Sequence, residues 1–259
     1  MPGDDPRTIL GAFGGERKRY LYLMGGGGKT ALMFALAHAL RAAGRTVITT
    51  TSTRILAPGP AETGAVLLGS DAPSLITRLA QELPAHGHVT VAAARLADEG
   101  KLRGLGLEQL DALVDARVAD HVLVEGDGAA GRSLKAHREG EPVLSPRAET
   151  VIVVIGLDCL GAPMDDEHVH RAASFRERLG LPPGSVVTAE DVAGICFHPE
   201  GYLARVPQRA EVVVFLNKAV TPEAASAARQ LADMLRTRDR TRRIGAIVVG
   251  DVRAGEYRV

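Results

Sequence analysis

Apolar residues fall along the chain in short, dense runs separated by stretches with helical spacing. Val151-Ile152-Val153-Val154-Ile155 and Val212-Val213-Val214-Phe215-Leu216 do not alternate with polar residues, the pattern of strands covered on both faces in a parallel sheet. Runs of the same kind predict strands over Tyr20–Met24, Thr46–Thr51, Ala65–Leu68, His88–Ala93, His121–Glu125, Thr150–Ile155, Glu211–Leu216 and Arg243–Val249. Between the first two, Leu32, Leu36 and Leu40 recur every four residues, with Gly44 as a stop, which predicts a helix beginning at Lys29. A second helix is expected from Asp71 to Leu83, ending before Pro84. A third starts at Thr221-Pro222-Glu223, a cap followed by proline in the first turn, and runs through Leu231 and Leu235. Strands alternating with helices give an α/β class, expected as a three-layer fold with a mainly parallel sheet in one domain over residues 1–259. Leu56–Pro60 and Pro182–Gly184 read as loops within it.

Composition narrows the function. With 31 basic and 31 acidic residues the net charge is zero, which argues against a nucleic-acid binder and leaves no global field toward anionic lipid. The N-terminal MPGDDPRTIL lacks an apolar run of signal-peptide length, and nothing approaches the roughly 20 apolar residues of a membrane span. Two cysteines, Cys159 and Cys196, are too few for a disulfide framework. The expectation is a soluble, cytoplasmic protein. Of the 31 cations 26 are arginine, so each of the five lysines (Lys18, Lys29, Lys101, Lys135, Lys218) stands out.

The strand at Tyr20–Met24 empties into Gly25-Gly26-Gly27-Gly28-Lys29-Thr30-Ala31 and the leucine-striped helix. Glycines let backbone N–H groups turn toward phosphate oxygens, and the helix N-terminus adds a favourable dipole. Lys29 would reach the β- and γ-phosphates and the Thr30 hydroxyl would hold Mg²⁺. The spacing resembles the short phosphate-loop form KGGxGK[ST], with Met24 where that form has its first lysine. The strand at His121–Glu125 ends in Glu125-Gly126-Asp127-Gly128, two carboxylates suited to a metal's water shell or to orienting a nucleophile, either one fitting either role. Thr49-Thr50-Thr51-Ser52-Thr53-Arg54 reads as strand residues running into a hydroxyl-rich loop, or as hydroxyls beside the γ-phosphate, with Thr51 the candidate ligand.

Asn217-Lys218-Ala219-Val220 is similar to a guanine-reading NKxD loop with valine at its acceptor position, so ATP is at least as good a candidate as GTP. Lys135, in the basic string Arg132-Ser133-Leu134-Lys135-Ala136-His137-Arg138, is a candidate for substrate phosphate or the γ-phosphate. His168 and His170, with Arg171, follow three acids and are candidates for a transition-metal or pterin-phosphate site, against which stands that HxH at helical spacing does not face both imidazoles the same way. Cys159 reads first as a buried inert thiol, and second as a carrier of a persulfide or perselenide.

Taken together, Gly25 to Thr30, Thr49 to Arg54, the EGDG string at Glu125, Leu134-Lys135-Ala136, Glu141-Pro142-Val143, Gly156-Leu157-Asp158, Val169-His170-Arg171 and Asn217-Lys218 resemble the YqeC family, over about residues 10 to 250. That resemblance implies an accessory protein for the maturation of selenium-dependent molybdenum hydroxylases. It further implies use of ATP or GTP with Mg²⁺, and as partners a molybdenum hydroxylase or a cofactor-insertion protein.

Overall fold

The computed structural model describes residues 8–97 and 100–259; the first seven residues of the N-terminal string read above lie outside it. A short helix, α1 (Ile9–Phe13), precedes β1 (Tyr20–Gly25) and α2 (Lys29–Ala42). There follow β2 (Val47–Thr51), β3 (Arg54–Leu56), β4 (Ala65–Leu68), α3 (Ala72–His86), β5 (His88–Ala92), β6 (Ala94–Leu96), β7 (Lys101–Arg103), α4 (Leu107–Asp115) and β8 (His121–Glu125). The second half comprises β9 (Leu134–Lys135), β10 (Thr150–Gly156), β11 (Val169–His170), α5 (Ala172–Leu179), α6 (Ala189–Phe197), β12 (Glu211–Asn217), α7 (Pro222–Arg238), β13 (Ala246–Asp251) and β14 (Glu256–Arg258).

Nine strands form the central sheet in the order β14-β13-β12-β10-β1-β8-β2-β5-β4, all parallel except the edge pair β13 and β14. The continuous apolar runs have the predicted cause. Along β10, Val151, Val153 and Ile155 face one core with leucines of α3, α4 and α7, while Ile152 and Val154 face a second core with Leu32, Leu36 and Leu40 of α2. Each of those leucines is fully buried, an arrangement worth about 1.5–3 kcal/mol per side chain. The α/β class with helices on both faces is thus as expected.

Two boundaries differ by three residues from the sequence reading, the other shifts being one or two residues. Helix α3 runs through Pro84 to His86 rather than stopping before it. Proline there removes one N–H in the last turn, Leu75, Leu79 and Leu83 keep the buried stripe intact, and Gly87 closes the helix in the left-handed region at φ 70° with its N–H on the Leu83 carbonyl. Strand β13 begins at Ala246, not Arg243, because the Arg243 and Ile244 N–H groups donate to the Asp239 carboxylate instead of a strand neighbour. The segment around Leu56, read as a loop, contributes β3 to a small antiparallel sheet of order β3-β7-β6. Among the described residues no helix is long and apolar enough to cross a membrane.

Candidate functional site

Parallel sheets bind ligands beyond the carboxyl ends of their strands. Here those ends bring together Gly25 of β1, Glu125 of β8, Thr51 of β2 and Asn217 of β12. Glu125 stands in register with Leu23 on one side and Thr51 on the other.

The glycine run is held from beneath. The Gly25 N–H donates to both Asp127 carboxylate oxygens (3.2 and 3.0 Å), that of Gly26 to the Val154 carbonyl (2.8 Å) and that of Gly27 to the Arg132 carbonyl (2.9 Å). These three amides therefore anchor the loop, and the amides without a carbonyl one turn back in the helix are those that open α2 at Lys29, Thr30 and Ala31. Glycine is required sterically: a Cβ at Gly27 (φ 78°) would lie 2.5 Å from the Gly156 nitrogen, and one at Gly28 (φ 124°) 2.4 Å from the Asn217 amide nitrogen.

Lys29 folds back under the loop. Its ammonium donates to the Gly25 carbonyl (2.7 Å) and pairs with Asp127 (3.3 Å) and more distantly with Glu125 (3.8 Å). Burial disfavours its charge, but Asp127 and Glu125 outweigh that and raise its pKa. The Thr30 hydroxyl donates to Glu125 Oε2 at 2.6 Å. Burial raises the Glu125 pKa, with Lys29 and Thr30 opposing.

Asp127 occupies a different position from Glu125. It is fully buried, away from the cleft lining, and accepts from the Gly25 N–H and from His137 Nε2 (2.6 Å), with Lys135 Nζ at 3.2 Å. Burial opposes its ionisation, yet Lys29, His137 and Lys135 together hold its carboxyl far below the usual range. The two carboxylates that looked alike in sequence are thus distinct. Glu125 shares the cleft wall with Thr30, and Asp127 is the anion on which the loop and two lysines are assembled.

Lys135 is likewise not at the cleft surface. Its side chain is completely buried, donating to the Gly128 carbonyl (2.6 Å) and to Glu141 (3.3 Å). Burial lowers its pKa against the pull of Asp127 and Glu141. Glu141 also accepts from both guanidinium nitrogens of Arg171 (2.7 and 3.1 Å) and pairs with Arg138 (2.9 Å). His137 and Glu141 were not candidates by residue chemistry, Glu141 standing only in a string of the family resemblance, while Arg171 was read together with His168 and His170.

Asn217 and Lys218 serve the loop and its surroundings. Asn217 donates from Nδ2 to the Gly27 carbonyl (2.7 Å) and accepts the Val252 N–H at 3.0 Å, tying β12, the glycine run and the end of β13 together. Lys218 donates to Ser133 Oγ (2.8 Å) and Asp158 Oδ2 (2.7 Å). Thr51 donates to the Glu125 carbonyl (2.8 Å), leaving Thr53 at the cleft wall. His168 bonds Asp165 (2.7 Å) while His170 lines the cleft, and among the described residues no group of three or more metal-ligating side chains gathers. Cys159 is buried and its thiol is pushed up to about 12 by burial, the opposite of an activated nucleophile.

Above these groups opens a cleft of about 1080 Å³, with Gly27 to Ala31 and Glu125 on one wall, Thr53 to Leu56 and Lys101 on another, and Gly128 to Arg132, Arg138, Glu141, His170 and Arg171 on a third. The fold and this site define a class: an α/β protein whose parallel sheet carries a glycine-run loop, its lysine and an acid-ended neighbouring strand at one edge. The profile of the YqeC protein family matches residues 22–173, a span that contains the loop, both carboxylates, Lys135 and Arg171. Over 254 residues the chain is 33% identical to the uncharacterized protein YqeC of Escherichia coli (strain K12), covering 96% of this chain and 93% of that protein. The chain belongs to the YqeC family.

Proposed function

We propose that the cleft binds the triphosphate of ATP or GTP together with Mg²⁺ and hydrolyses it, and that this drives a step in the maturation of selenium-dependent molybdenum hydroxylases. The observation that carries the nucleotide reading is the Thr30–Glu125 hydrogen bond at the cleft wall, beside the open N-terminus of α2 and the Lys29 ammonium. Mg²⁺ takes oxygen ligands, keeps several waters and is bound through one or two carboxylates plus substrate phosphates. The Thr30 hydroxyl and the Glu125 carboxylate are oxygens of that kind, and they would hold the ion, which when bound neutralises charge on the phosphate oxygens.

The chain's own residues do the rest. Lys29 leaves its carbonyl and carboxylate partners to meet the β- and γ-phosphates, and the amides opening α2 bind the same oxygens. Before that move Asp127 keeps Lys29 charged beneath the loop, and Asn217 fixes the Gly27 carbonyl so that the amides beyond it face the cleft. With its side-chain amide engaged there and Lys218 paired to Asp158, this segment does not read a guanine, so the reading is open to either base. The accessory role rests on the family resemblance, and the partner would be a hydroxylase or a cofactor-insertion protein.

Calorimetric titration with ATP and with GTP, each with and without Mg²⁺, tests the site. Charge-assisted hydrogen bonds contribute about 1.5–3 kcal/mol, so Lys29→Ala is expected to weaken triphosphate binding about 10- to 150-fold. Unchanged affinity in that variant refutes the nucleotide reading. Turnover that does not respond to an added immature hydroxylase would remove the accessory role and leave the nucleotide site standing.

A further inference from the structure

We propose that Arg132 is a catalytic residue of the triphosphate hydrolysis, a guanidinium that the chain itself supplies to the phosphoryl group in transfer. The proposal deepens the nucleotide reading and rests on it. Arg132 borders the glycine run through its backbone. Its carbonyl accepts the Gly27 N–H at 2.9 Å, and a Cβ at Gly26 would lie 2.6 Å from the same carbonyl oxygen. Its half-buried side chain lines the cleft that Lys29, Thr30 and Glu125 also line. The guanidinium is therefore carried from a fixed point beside the loop.

Its partners set it apart from the neighbouring arginines. Arg138 and Arg171 both bind the Glu141 carboxylate, the first at 2.9 Å and the second at 2.7 and 3.1 Å. Arg132 donates to neutral oxygens instead, from Nε to the Asp166 carbonyl at 3.0 Å and from Nη1 to the Ala130 carbonyl at 2.6 Å, and its Nη2 has no partner among the described residues. A guanidinium on carbonyls has no anion to give up when a phosphate oxygen arrives. The loop itself brings one cation only. Where the short phosphate-loop form has its first lysine stands Met24, fully buried in the core, so Lys29 is the single basic residue from Tyr20 to Ala31.

In the hydrolysis a water oxygen bonds to the γ-phosphorus as the bond from that phosphorus to the β,γ-bridging oxygen breaks. The electron pair of the broken bond leaves with the nucleoside diphosphate, and the protons of the water stay with the phosphate released as H₂PO₄⁻. Negative charge spreads over the equatorial oxygens and grows on the bridging one along the way. A guanidinium meets these oxygens with a rigid fork of donors and never gives up its own proton. Arg132 acts on charge that is largest in the transition state, so its loss is read in kcat rather than in the affinity for bound triphosphate.

The experiment uses the full-length protein, Mg²⁺ and ATP or GTP, whichever binds. Arg132→Gln leaves in place the backbone carbonyl that holds Gly27. Its kcat is expected to fall about 100- to 1,000-fold, the range for losing one donor to a developing oxyanion. Calorimetric affinity for a non-hydrolysable triphosphate analogue should fall less than about tenfold. The nucleoside diphosphate with aluminium fluoride, a mimic of the phosphoryl group in transfer, reads the same contact without turnover: the affinity that the fluoride adds should be lost in Arg132→Gln and kept in Arg236→Gln, a surface control. If the melting curve shows that the glutamine variant does not fold, Arg132→Lys carries the test; it keeps the charge without the fork, and its kcat should fall about tenfold. An unchanged kcat in the variant tested overturns the proposal, as does an equal loss of analogue affinity or an equal loss in the control. A wild type that binds the analogue but neither hydrolyses the triphosphate nor binds the fluoride complex overturns the catalytic arginine and leaves the nucleotide site standing. A wild type that binds no analogue removes the nucleotide reading and this proposal with it.

Discussion

Lys135 allows a prediction that separates two roles a lysine can have beside the glycine loop. A ligand for phosphate would line the cleft, as Lys29 does, and its loss would weaken binding more than folding. The structure puts Lys135 at 0% exposure, its ammonium 3.2 Å from Asp127 and 3.3 Å from Glu141 and donating to the Gly128 carbonyl at 2.6 Å. Lys135→Met keeps the volume of the stem and deletes the charge, leaving Asp127 with Lys29 and His137 and leaving the Gly128 carbonyl without its donor. Removing one partner of a buried ion pair costs about 3–5 kcal/mol. For a chain of this length each kcal/mol shifts the melting temperature by about 2–4 °C, so a fall of roughly 6–20 °C is expected.

Urea unfolding followed by circular dichroism at pH 7 measures the loss directly, and a nucleotide titration of the same variant at a temperature where it is folded measures the other role. A variant within about 2 °C of wild type that has lost triphosphate affinity would refute the structural assignment and return Lys135 to the ligand set. An Asp127→Asn background sharpens the result. If the lysine acts mainly through Asp127, most of its effect disappears there, and the coupling in the double-mutant cycle gives the pair's share.

Three further outcomes follow from the same geometry. Gly28→Ala places a Cβ 2.4 Å from Asn217 Nδ2 at φ 124°, and should lower the melting temperature and the nucleotide affinity together; Asn217→Ala in the same chain should relieve the clash but not the backbone strain, and full recovery would contradict this. Burial, with the nearby His38 and Arg41 charges, lowers the His88 pKa from 6.5 to about 4, so the neutral ring's contribution is complete above pH 6.5 and is lost as pH falls toward 4, by about 3 kcal/mol at the most; a urea midpoint of wild type and His88→Gln that falls in parallel over that window would exclude it. Burial opposes the Glu141 charge but Arg171 and Lys135 hold its pKa at about 2 against 4.5, so its stabilisation is full above pH 4.5 and is lost as pH falls to 2, and Glu141→Gln should flatten that acid limb of the urea midpoint.

How much was legible in the sequence depended on where each group's partners lie. The strands β1, β8, β10 and β12 were readable because burial on both faces writes an unbroken apolar run, and α2 because three leucines share one face. Lys29, Thr30, Glu125 and Asn217 followed from their positions at the ends of those elements. The lower tier of the site was not readable in the same way. Residues 132–141 form a polar string whose natural reading is a solvated loop, and the burial of Lys135 and His137 arises only when β9 pairs with β11, 35 residues later, and Tyr202 closes over them with its hydroxyl on the Lys135 carbonyl at 2.8 Å. The inward place of Asp127 was not readable for a related reason. Spacing by glycine from Glu125 put both acids at one strand end, but β8 ends at Glu125, and two residues further on the chain turns inward to meet the Gly25 N–H.

The glycine run itself changes meaning in this light. Four consecutive glycines suggest a loop made of amides that all face a phosphate. In the structure Gly25, Gly26 and Gly27 spend their N–H groups on Asp127, Val154 and Arg132, and a Cβ at any of them would lie 2.3–2.6 Å from backbone of β10, of the segment after β8 or of Gly156. Their absence of side chains serves close approach of three backbones, and the amides without helical partners begin two residues later, at Lys29. The demand for glycine is therefore set by packing from behind, while the chemistry in front is set by Lys29, Thr30 and Glu125. The two can be varied separately: substitutions at Gly25 to Gly27 act through folding, and those at Lys29 and Thr30 act through the ligand. Asp127 joins the two sets, since the carboxylate that accepts the Gly25 N–H also pairs with Lys29, the proposed phosphate lysine.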